Sequence, residues 1–357
     1  MLKAVRPGGS VVTLDTSLCR TLGIDHPVVQ APIGSASTPE LAAAVAEAGG
    51  FGTLAVSWRS PDETRTAVEA TRRLTDGRFG VNVVLDPETG VAPAEDLIDA
   101  ALDAGVETVS LSFGDPAPHV DRLQAAGATV LVTVGSAAEA SAAVEAGADV
   151  VVAQGWEAGG HVQSEVATMA LVPRVVDAVP EAVPVVAAGG IADGRGLAAV
   201  LALGGDGAWL GTRFVATEQS GAHERYKRAI VAADEGETVY GEPFPKGWPG
   251  QPHRTLDSET TREWEQAGRP PLADRPREDD VVAHTEEGEP VERYADLPPL
   301  SGMEGDVDTL PQYAGQSVGL TDDVPAAGAV VERVVEAAET ALVRAGRQRD
   351  AGPHESP

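Results

Sequence analysis

The sequence predicts a (β/α)8 TIM barrel carrying an irregular acidic arm and a C-terminal helix. Three observations point there. A short apolar run followed by a helical stretch recurs eight times between residues 28 and 233, the count that closes such a barrel. The helix exits repeat one pattern, AEAGGFGT, LDAGVETV, QAAGATVL, VEAGADVV and LALGGDGAW, in which a glycine ends the helix and the chain turns into a strand. The rival fold, a doubly wound open sheet, would carry a GxGxxG turn after its first strand, and VVQAPIGSAS has none.

Residues 1–25 read as a lead-in with a strand over 10–14. The first unit pairs a strand over 28–30 with a helix over 38–48, whose Thr38 is the N-cap and Pro39 the first helical residue. Strands follow over 51–56, 79–85, 108–112, 129–134, 150–153, 184–187 and 207–210. Helices alternate with them over 61–74, 93–104, 118–126, 136–146, 168–178, 193–203 and 221–233. The stretch DVVVAQGWEAGGH, over 149–161, organises the rest. Its β-branched apolar run suits a strand buried on both faces, and it spills into a glycine-rich loop ending in His161.

Three segments result: a barrel over 1–233, an arm over 234–320, and a C-terminal helix with a frayed tail over 321–357. The arm is rich in Pro, Glu, Asp and Arg, yet Tyr240, Phe244, Trp248, Trp264, Tyr294 and Tyr313 are spaced through it. That aromatic content favours an ordered, irregular layer packed on the barrel, with a loose section near 274–289. The helix over 325–346 places Val330, Val334, Ala337 and Leu342 on one side.

Acidic residues number 55 against 26 basic, a net charge of -29, and only three lysines occur: Lys3, Lys227 and Lys246. Such a surface repels nucleic acid and anionic membrane. The composition matches a protein from a salt-accumulating organism; an unusually acidic mesophilic protein is the alternative. Cys19 is the only cysteine, which excludes an intrachain disulfide and a cysteine metal cluster. There is no signal-peptide apolar core and no run near the roughly 18 apolar residues of a membrane span, so a cytoplasmic protein is expected. The sequence leaves the oligomeric state open.

Barrel active sites lie at the carboxyl ends of the strands. The groups that fall there are Gln30 with Ala31 and Pro32, Asn82, Ser112, Thr133, Gln154 with the loop to His161, Gly189 with Gly190, and Gly211 with Thr212. Uncharged polar side chains and glycines suit a bound, uncharged heteroaromatic ring. The loops after strands seven and eight, VVAAGGIADGRG and AWLGTRF, stand where barrels hold phosphate, with Thr212 offering a hydroxyl and Arg213 charge. Trp156 and Trp209 read as packing. His26, His119, His223, His253 and His284 lack metal-ligand spacing and read as surface or structural, so no metal site is expected. Ser35 and Ser37 lack a nucleophile elbow.

VVQAPIG, FGVNVVL, AQGWEAGGH, VVAAGGIADGRG, WLGTRF and PQYAGQSVGL together resemble the nitronate monooxygenase family, formerly called 2-nitropropane dioxygenases. The resemblance implies a barrel that binds FMN non-covalently. It implies flavin contacts at Asn82, Gln154, Gly159 and Gly190, with Gly160 in the same loop and Trp209, Leu210, Gly211 and Thr212 around the phosphate. It implies that His161 faces the flavin ring as the catalytic histidine, with a small-molecule nitronate and O2 as reactants. The same motifs are similar to those of flavin-dependent enoyl-acyl-carrier-protein reductases. Members of the family often carry glycine two residues after the histidine; here that position is Gln163, followed by Ser164. An NAD(P)H-dependent enoyl thioester reductase is therefore one alternative, and a barrel that binds flavin or another ligand without turnover is the other.

Overall fold

A computed structural model describes residues 14–350. The strand expected over 10–14 falls outside them except for Leu14, which is in no strand, as does the end of the tail beyond residue 350.

In chain order the strands are β1 (Val28–Gln30), β2 (Gly52–Ala55), β3 (Phe79–Val84), β4 (Thr108–Ser112), β5 (Thr129–Val134), β6 (Val150–Gln154), β7 (Gly160–His161), β8 (Val185–Ala188), β9 (Gly207–Leu210), β10 (Thr238–Gly241), β11 (His253–Leu256), β12 (Val281–His284), β13 (Pro290–Glu292) and β14 (Glu304–Gly305). Eight of them form one parallel sheet in the order β1-β9-β8-β6-β5-β4-β3-β2. The parallel bridge between Val29 and Phe51 joins its two edges, with Gln30 N–H donating to Phe51 O at 2.9 Å and Phe51 N–H to Val28 O at 3.0 Å. The result is the expected (β/α)8 barrel.

Alternation along the strands explains the unbroken apolar runs. Val150 and Val152 point into the barrel with Val29, Leu131, Val186 and Trp209. Val151 and Ala153 point outward, into the larger core beneath the helices. Along Val150 to Ala153 neither face meets water, and the run carries no polar residue before Gln154. The helix Ser17–Leu22 puts Leu18, Cys19 and Leu22 into the inner cluster and plugs the amino-terminal end of the barrel. Only the carboxyl end stays open.

The helices occur where expected, most with ends shifted by one or two residues; one starts late, at Glu224, and the last runs on to Asp350. Local chemistry sets the boundaries. The helix Pro61–Leu74 opens on a capping box, in which the Ser60 hydroxyl accepts from Glu63 N–H and the Glu63 carboxylate accepts from Ser60 N–H. The C-terminal helix Ala327–Asp350 packs on Gly194–Ala202, with Gly194 at the crossing. A Cβ there would stand 2.2 Å from Ala338 N and 2.3 Å from Val334 O, so only glycine lets the helices come this close.

The arm is more regular than expected. Thr238–Gly241 and His253–Leu256 form an antiparallel pair extended by β7, the tip of the histidine loop. β12, β13 and β14 form a second antiparallel sheet, and β12 runs through the section expected to be loose. Helix Glu259–Gln266 lies between them, capped by Ser258 and Thr261. These strands are two to four residues long, too short for alternation to show in sequence. Phe244, Trp248, Trp264 and Tyr294 are buried and anchor the layer. Among the described residues no helix is long and apolar enough to cross a membrane.

Candidate active site

A cleft of about 1340 Å³, counting space open to solvent, lies at the carboxyl ends of the barrel strands, beneath the arm. Its walls include Ala31, Pro32, Asn82, Thr133, Gln154, Gly159, Gly160, His161, Gly189, Gly190, Trp209, Gly211 and Thr212. Of the residues singled out from sequence, Gln30 lies outside these walls, fully buried with its Oε1 accepting Thr53 N–H at 2.8 Å, and so does Leu210. Leu210 is one position out of phase, so its side chain packs, fully buried, in the outer core. Only its carbonyl serves the site, accepting Ala31 N–H at 2.9 Å.

The barrel supplies one side. Asn82 donates to Ser110 Oγ at 3.2 Å and Ser112 Oγ at 3.3 Å, forming a row of uncharged polar groups at the ends of β3 and β4. Gln154 holds the histidine loop: Nε2 donates to His161 O at 3.1 Å and Oε1 accepts Gln163 N–H at 2.8 Å. The same loop is pinned from behind, where the Glu157 carboxylate accepts the N–H and hydroxyl of Thr168, each at 2.8 Å. Gly189 and Gly190 take φ of 101° and 73°, turning the backbone in a way side-chain-bearing residues resist. The Thr212 hydroxyl accepts Gly315 N–H at 2.9 Å, which leaves its own proton to donate.

Arg213 does not join this cradle. It is buried against the lead into the C-terminal helix, where it pairs with Asp323 at 2.5 Å. Among the described residues the cleft lining therefore has no lysine or arginine, and Asp296 is its single carboxylate. Strand-end amides and hydroxyls beside a two-glycine turn fit a flat, uncharged ring with an anionic tail held by backbone and hydroxyl groups.

The arm supplies the other side. β11 lies beside β7 in a register that sets His253 opposite His161 and Arg254 opposite Gly160. Arg254 turns away from the cleft, sandwiched between Trp156 (4.3 Å) and Tyr240 (5.2 Å), and donates to Trp156 O at 3.0 Å. The His161 ring is enclosed by aromatics: Trp248 at 4.1 Å between centroids, His253 at 5.0 Å, Tyr313 at 5.7 Å and Phe113 at 6.4 Å. Phe113 sits at φ 55°, a costly conformation for a non-glycine residue, and its N–H is held by Gln163 Oε1 at 3.4 Å. Gln163 thus holds Phe113 at the cleft edge.

Burial decides the protonation states. Desolvation, with a smaller push from His253, holds His161 well below the usual histidine value. Desolvation also lowers His253, to about 4. His253 Nε2 accepts Phe244 N–H at 3.1 Å, which puts its proton on Nδ1, facing Gln251 O at 3.1 Å. Burial raises Asp296 to about 7, against a hydrogen bond from the Tyr313 hydroxyl that favours its ionised form. His161 Nε2 and Asp296 Oδ2 lie 3.8 Å apart. Neither has a hydrogen-bond partner. With His161 neutral this contact is not an ion pair; it is two buried, unpartnered polar atoms on residues that line the cleft.

Trp248, Asp296 and Tyr313 escaped the sequence reading as site residues. The arm's aromatic spacing and the PQYAG motif flagged Trp248 and Tyr313 for packing and resemblance, while nothing distinguishes Asp296 among 55 acidic residues. His253, read as surface or structural, is structural and fully buried.

The family model described as nitronate monooxygenase matches residues 15–97 and 88–337. A Rhodococcus jostii protein named (3aS,4S,5R,7aS)-5-hydroxy-7a-methyl-1-oxo-octahydro-1H-indene-4-carboxyl-CoA dehydrogenase is 38% identical over 256 residues, 72% of this chain and 69% of that one. A probable nitronate monooxygenase of Staphylococcus saprophyticus is 34% identical over 288 residues, 69% of this chain and 79% of the relative. Among solved structures, FabK from Thermotoga maritima superposes with a TM-score of 0.80 at 33% identity, covering 94% of this chain and 99% of the other. A nitroalkane oxidase from Streptomyces ansochromogenes gives 0.72 at 31% identity, covering 92% and 100%. By the extent of the family match and by these relatives, the chain belongs to the nitronate monooxygenase family.

Proposed function

We propose that the protein is an FMN-dependent oxidoreductase that oxidises small alkyl nitronates, or the nitroalkanes that give rise to them, with O2 as the terminal acceptor. The observation that carries the reading is the pair of buried, unpartnered polar atoms, His161 Nε2 and Asp296 Oδ2, on residues that line one cleft with Trp248, Phe113 and Tyr313. A small dipolar substrate with an apolar tail suits that wall. FMN is favoured over FAD because the chain offers one phosphate cradle, at Gly189, Gly190 and Thr212, and no dinucleotide fingerprint.

Bound flavin would supply the two-electron oxidation and hand the electrons to O2. The chain's own residues orient the reactants. Gln154 fixes the backbone of His161, and Trp248 fixes its ring plane. Neutral His161 in its Nε2–H tautomer donates to a nitronate oxygen, and the aromatic walls keep water from that bond, which strengthens it.

A second reading is oxidation or reduction of an acyl thioester. The 38%-identical relative named as a CoA-ester dehydrogenase and the FabK superposition favour it. Both chemistries begin at a carbon next to an electron-withdrawing group. The deciding experiment is the anaerobic visible spectrum of the purified protein with propionate 3-nitronate, NADPH or a short acyl-CoA added separately. Rapid bleaching by the nitronate supports the first reading. Bleaching by NADPH or the thioester alone replaces it with the second, and a spectrum unmoved by all three leaves a binding protein.

A further inference from the structure

We infer that Asp86 is a positioning residue: its carboxylate latches the Trp248 indole over His161, and residues 247–250 form a gate that opens to admit substrate to the imidazole. The inference deepens the reading above and rests on it for the identity of the substrate.

The imidazole is sealed in this structure. Its side chain is 8% exposed, and Nε2 is buried without a hydrogen-bond partner. A polar atom left in that state is costly, so it gains from a ligand that reaches it. The Trp248 indole covers one face of the ring and is itself buried. Phe113 meets the indole edge-on at 4.8 Å, and Trp58 lies 6.2 Å from it. Both are half-buried on the cleft wall, so the indole plugs an aromatic wall whose other members meet the open space.

The plug is carried on a short segment between two fixed points. On one side Lys246 N–H donates to Tyr294 O at 3.2 Å, and Lys246 O accepts Asp296 N–H at 2.7 Å. On the other, Pro252 O accepts Val162 N–H at 3.0 Å, and His253 Nδ1 faces Gln251 O at 3.1 Å. Between them Gly247, Pro249 and Gly250 are exposed, and Trp248 alone points inward. Gly247 and Gly250 take φ of 120° and 75°, so the indole is flanked by the two residues whose backbone turns most freely.

Among the described residues two hydrogen bonds tie this segment to the barrel. The indole N–H donates to Asp86 Oδ2 at 2.8 Å, and the Thr89 hydroxyl donates to Gly247 O at 3.2 Å. Asp86 follows the end of β3 and is itself fixed: its Oδ1 accepts Glu88 N–H at 2.9 Å, and Val91 N–H ties the same loop to Ser57 O at 3.0 Å. A rigid carboxylate on the barrel thus holds a hinged indole from the arm. The bond is charge-assisted, yet Asp86 is only half-buried, so water can take the place of the indole when the segment swings out.

The test is hydrogen–deuterium exchange at the His161 Cε1–H, read by peptide mass spectrometry on the flavin-bound protein, with the exposed His284 as internal reference. Ring-carbon exchange is slow beside loop motion, so it reports the open population. In the wild type His161 is expected to exchange far more slowly than His284. Asp86→Ala removes the acceptor, and Trp248→Phe keeps a ring but removes the N–H. Each is expected to speed exchange at His161 about 10–100-fold, the worth of a hydrogen bond to a charged group, and to leave His284 alone. The double variant is expected to exchange no faster than the faster single one, because both break the same bond. Capture of ethyl nitronate at low concentration, followed by anaerobic flavin bleaching in rapid mixing, is expected to quicken in Asp86→Ala in step with exchange. Asp86 lies on a surface loop, and far-ultraviolet circular dichroism checks that the variant folds. His161 exchange as fast as His284 in the wild type, exchange unaltered in Asp86→Ala, fully additive effects in the double variant, or capture that does not follow exchange overturns the proposal. Failure of the nitronate to bleach the flavin in any variant would retire the nitronate reading, and exchange would still decide the latch.

Discussion

The Trp248 indole lies over the His161 imidazole, 4.1 Å between centroids and tilted by 31°. Residues 87 positions apart are thus stacked as one unit, with the indole N–H donating to Asp86 Oδ2 at 2.8 Å. Trp248→Ala should admit water to the imidazole and move its pKa up toward the ordinary histidine range, because desolvation is the main cause of the depression. NMR titration of the His161 ring checks this. Denaturant unfolding should show a loss of about 3–5 kcal/mol, as for other buried aromatics cut to alanine. A titration that stays where it is would assign the burial to the other walls.

Asp296 should make the fold less stable as pH rises. Its folded pKa is about 7 against a reference of 3.8, so between those values the folded state binds the extra proton. Stability from this group is complete below pH 4 and is lost as pH rises through 7. Asp296→Asn should therefore raise the melting temperature at pH 8 and leave it nearly unchanged at pH 4. Each tenfold change in proton affinity is worth roughly 1.4 kcal/mol, so a gain of a few kcal/mol is expected. His253 runs the other way: lowered to about 4, it holds its stability above pH 6.5 and loses it as pH falls toward 4. The two trends partly cancel in the wild type and separate in the variant.

Gly190→Val should abolish flavin retention while the barrel still folds. The residue sits at φ 73°, which a β-branched side chain resists, and its Cβ would meet the Glu157 side chain no closer than 3.4 Å. The damage is to the turn that would receive the phosphate rather than to packing. The absorbance of released flavin and far-ultraviolet circular dichroism check the two halves of the claim. Full flavin occupancy in the variant would move the phosphate elsewhere.

Gly194→Ala should loosen the C-terminal helix. The added methyl would overlap backbone atoms of Ala338 and Val334, which cannot rotate aside. Overpacking of this kind costs typically about 1–3 kcal/mol. A thermal melt should fall accordingly, and proteolysis should release the helix first.

Salt should stabilise the whole molecule. With a net charge of -29, self-repulsion is long-ranged in dilute buffer, and the screening length falls from about 30 Å at 0.01 M to about 3 Å at 1 M. The melting temperature should be higher in molar KCl than at 0.01 M. A flat response would remove the case for salt adaptation.

The barrel was legible in the sequence because its strands are buried on both faces and its helices end on glycine. Both are local signals, strong at Val150 to Val152 and at the repeated helix exits. Most of the barrel half of the cleft followed from strand order, while Trp209, which read as packing, came in through the family resemblance. The arm half did not. Its strands are too short for periodicity, and Asp296 and Trp248 acquire their meaning only by reaching His161 across the cleft. Arg213 misled because position in sequence does not say which way a side chain turns; it turned toward Asp323.

The pairing of His253 with His161 is also an error check. Successive side chains on a strand face opposite ways, so a shift of one residue exchanges the two faces. Displaced in that way, β11 would bring the Arg254 guanidinium beside His161 and Asp296. A permanent cation there would hold the carboxyl as an ion pair and lower its pKa. The sandwich of Arg254 between Trp156 and Tyr240 holds the charge on the far side and favours the observed alignment. A chain that closed its arm one step out of place would therefore set a buried cation against His161.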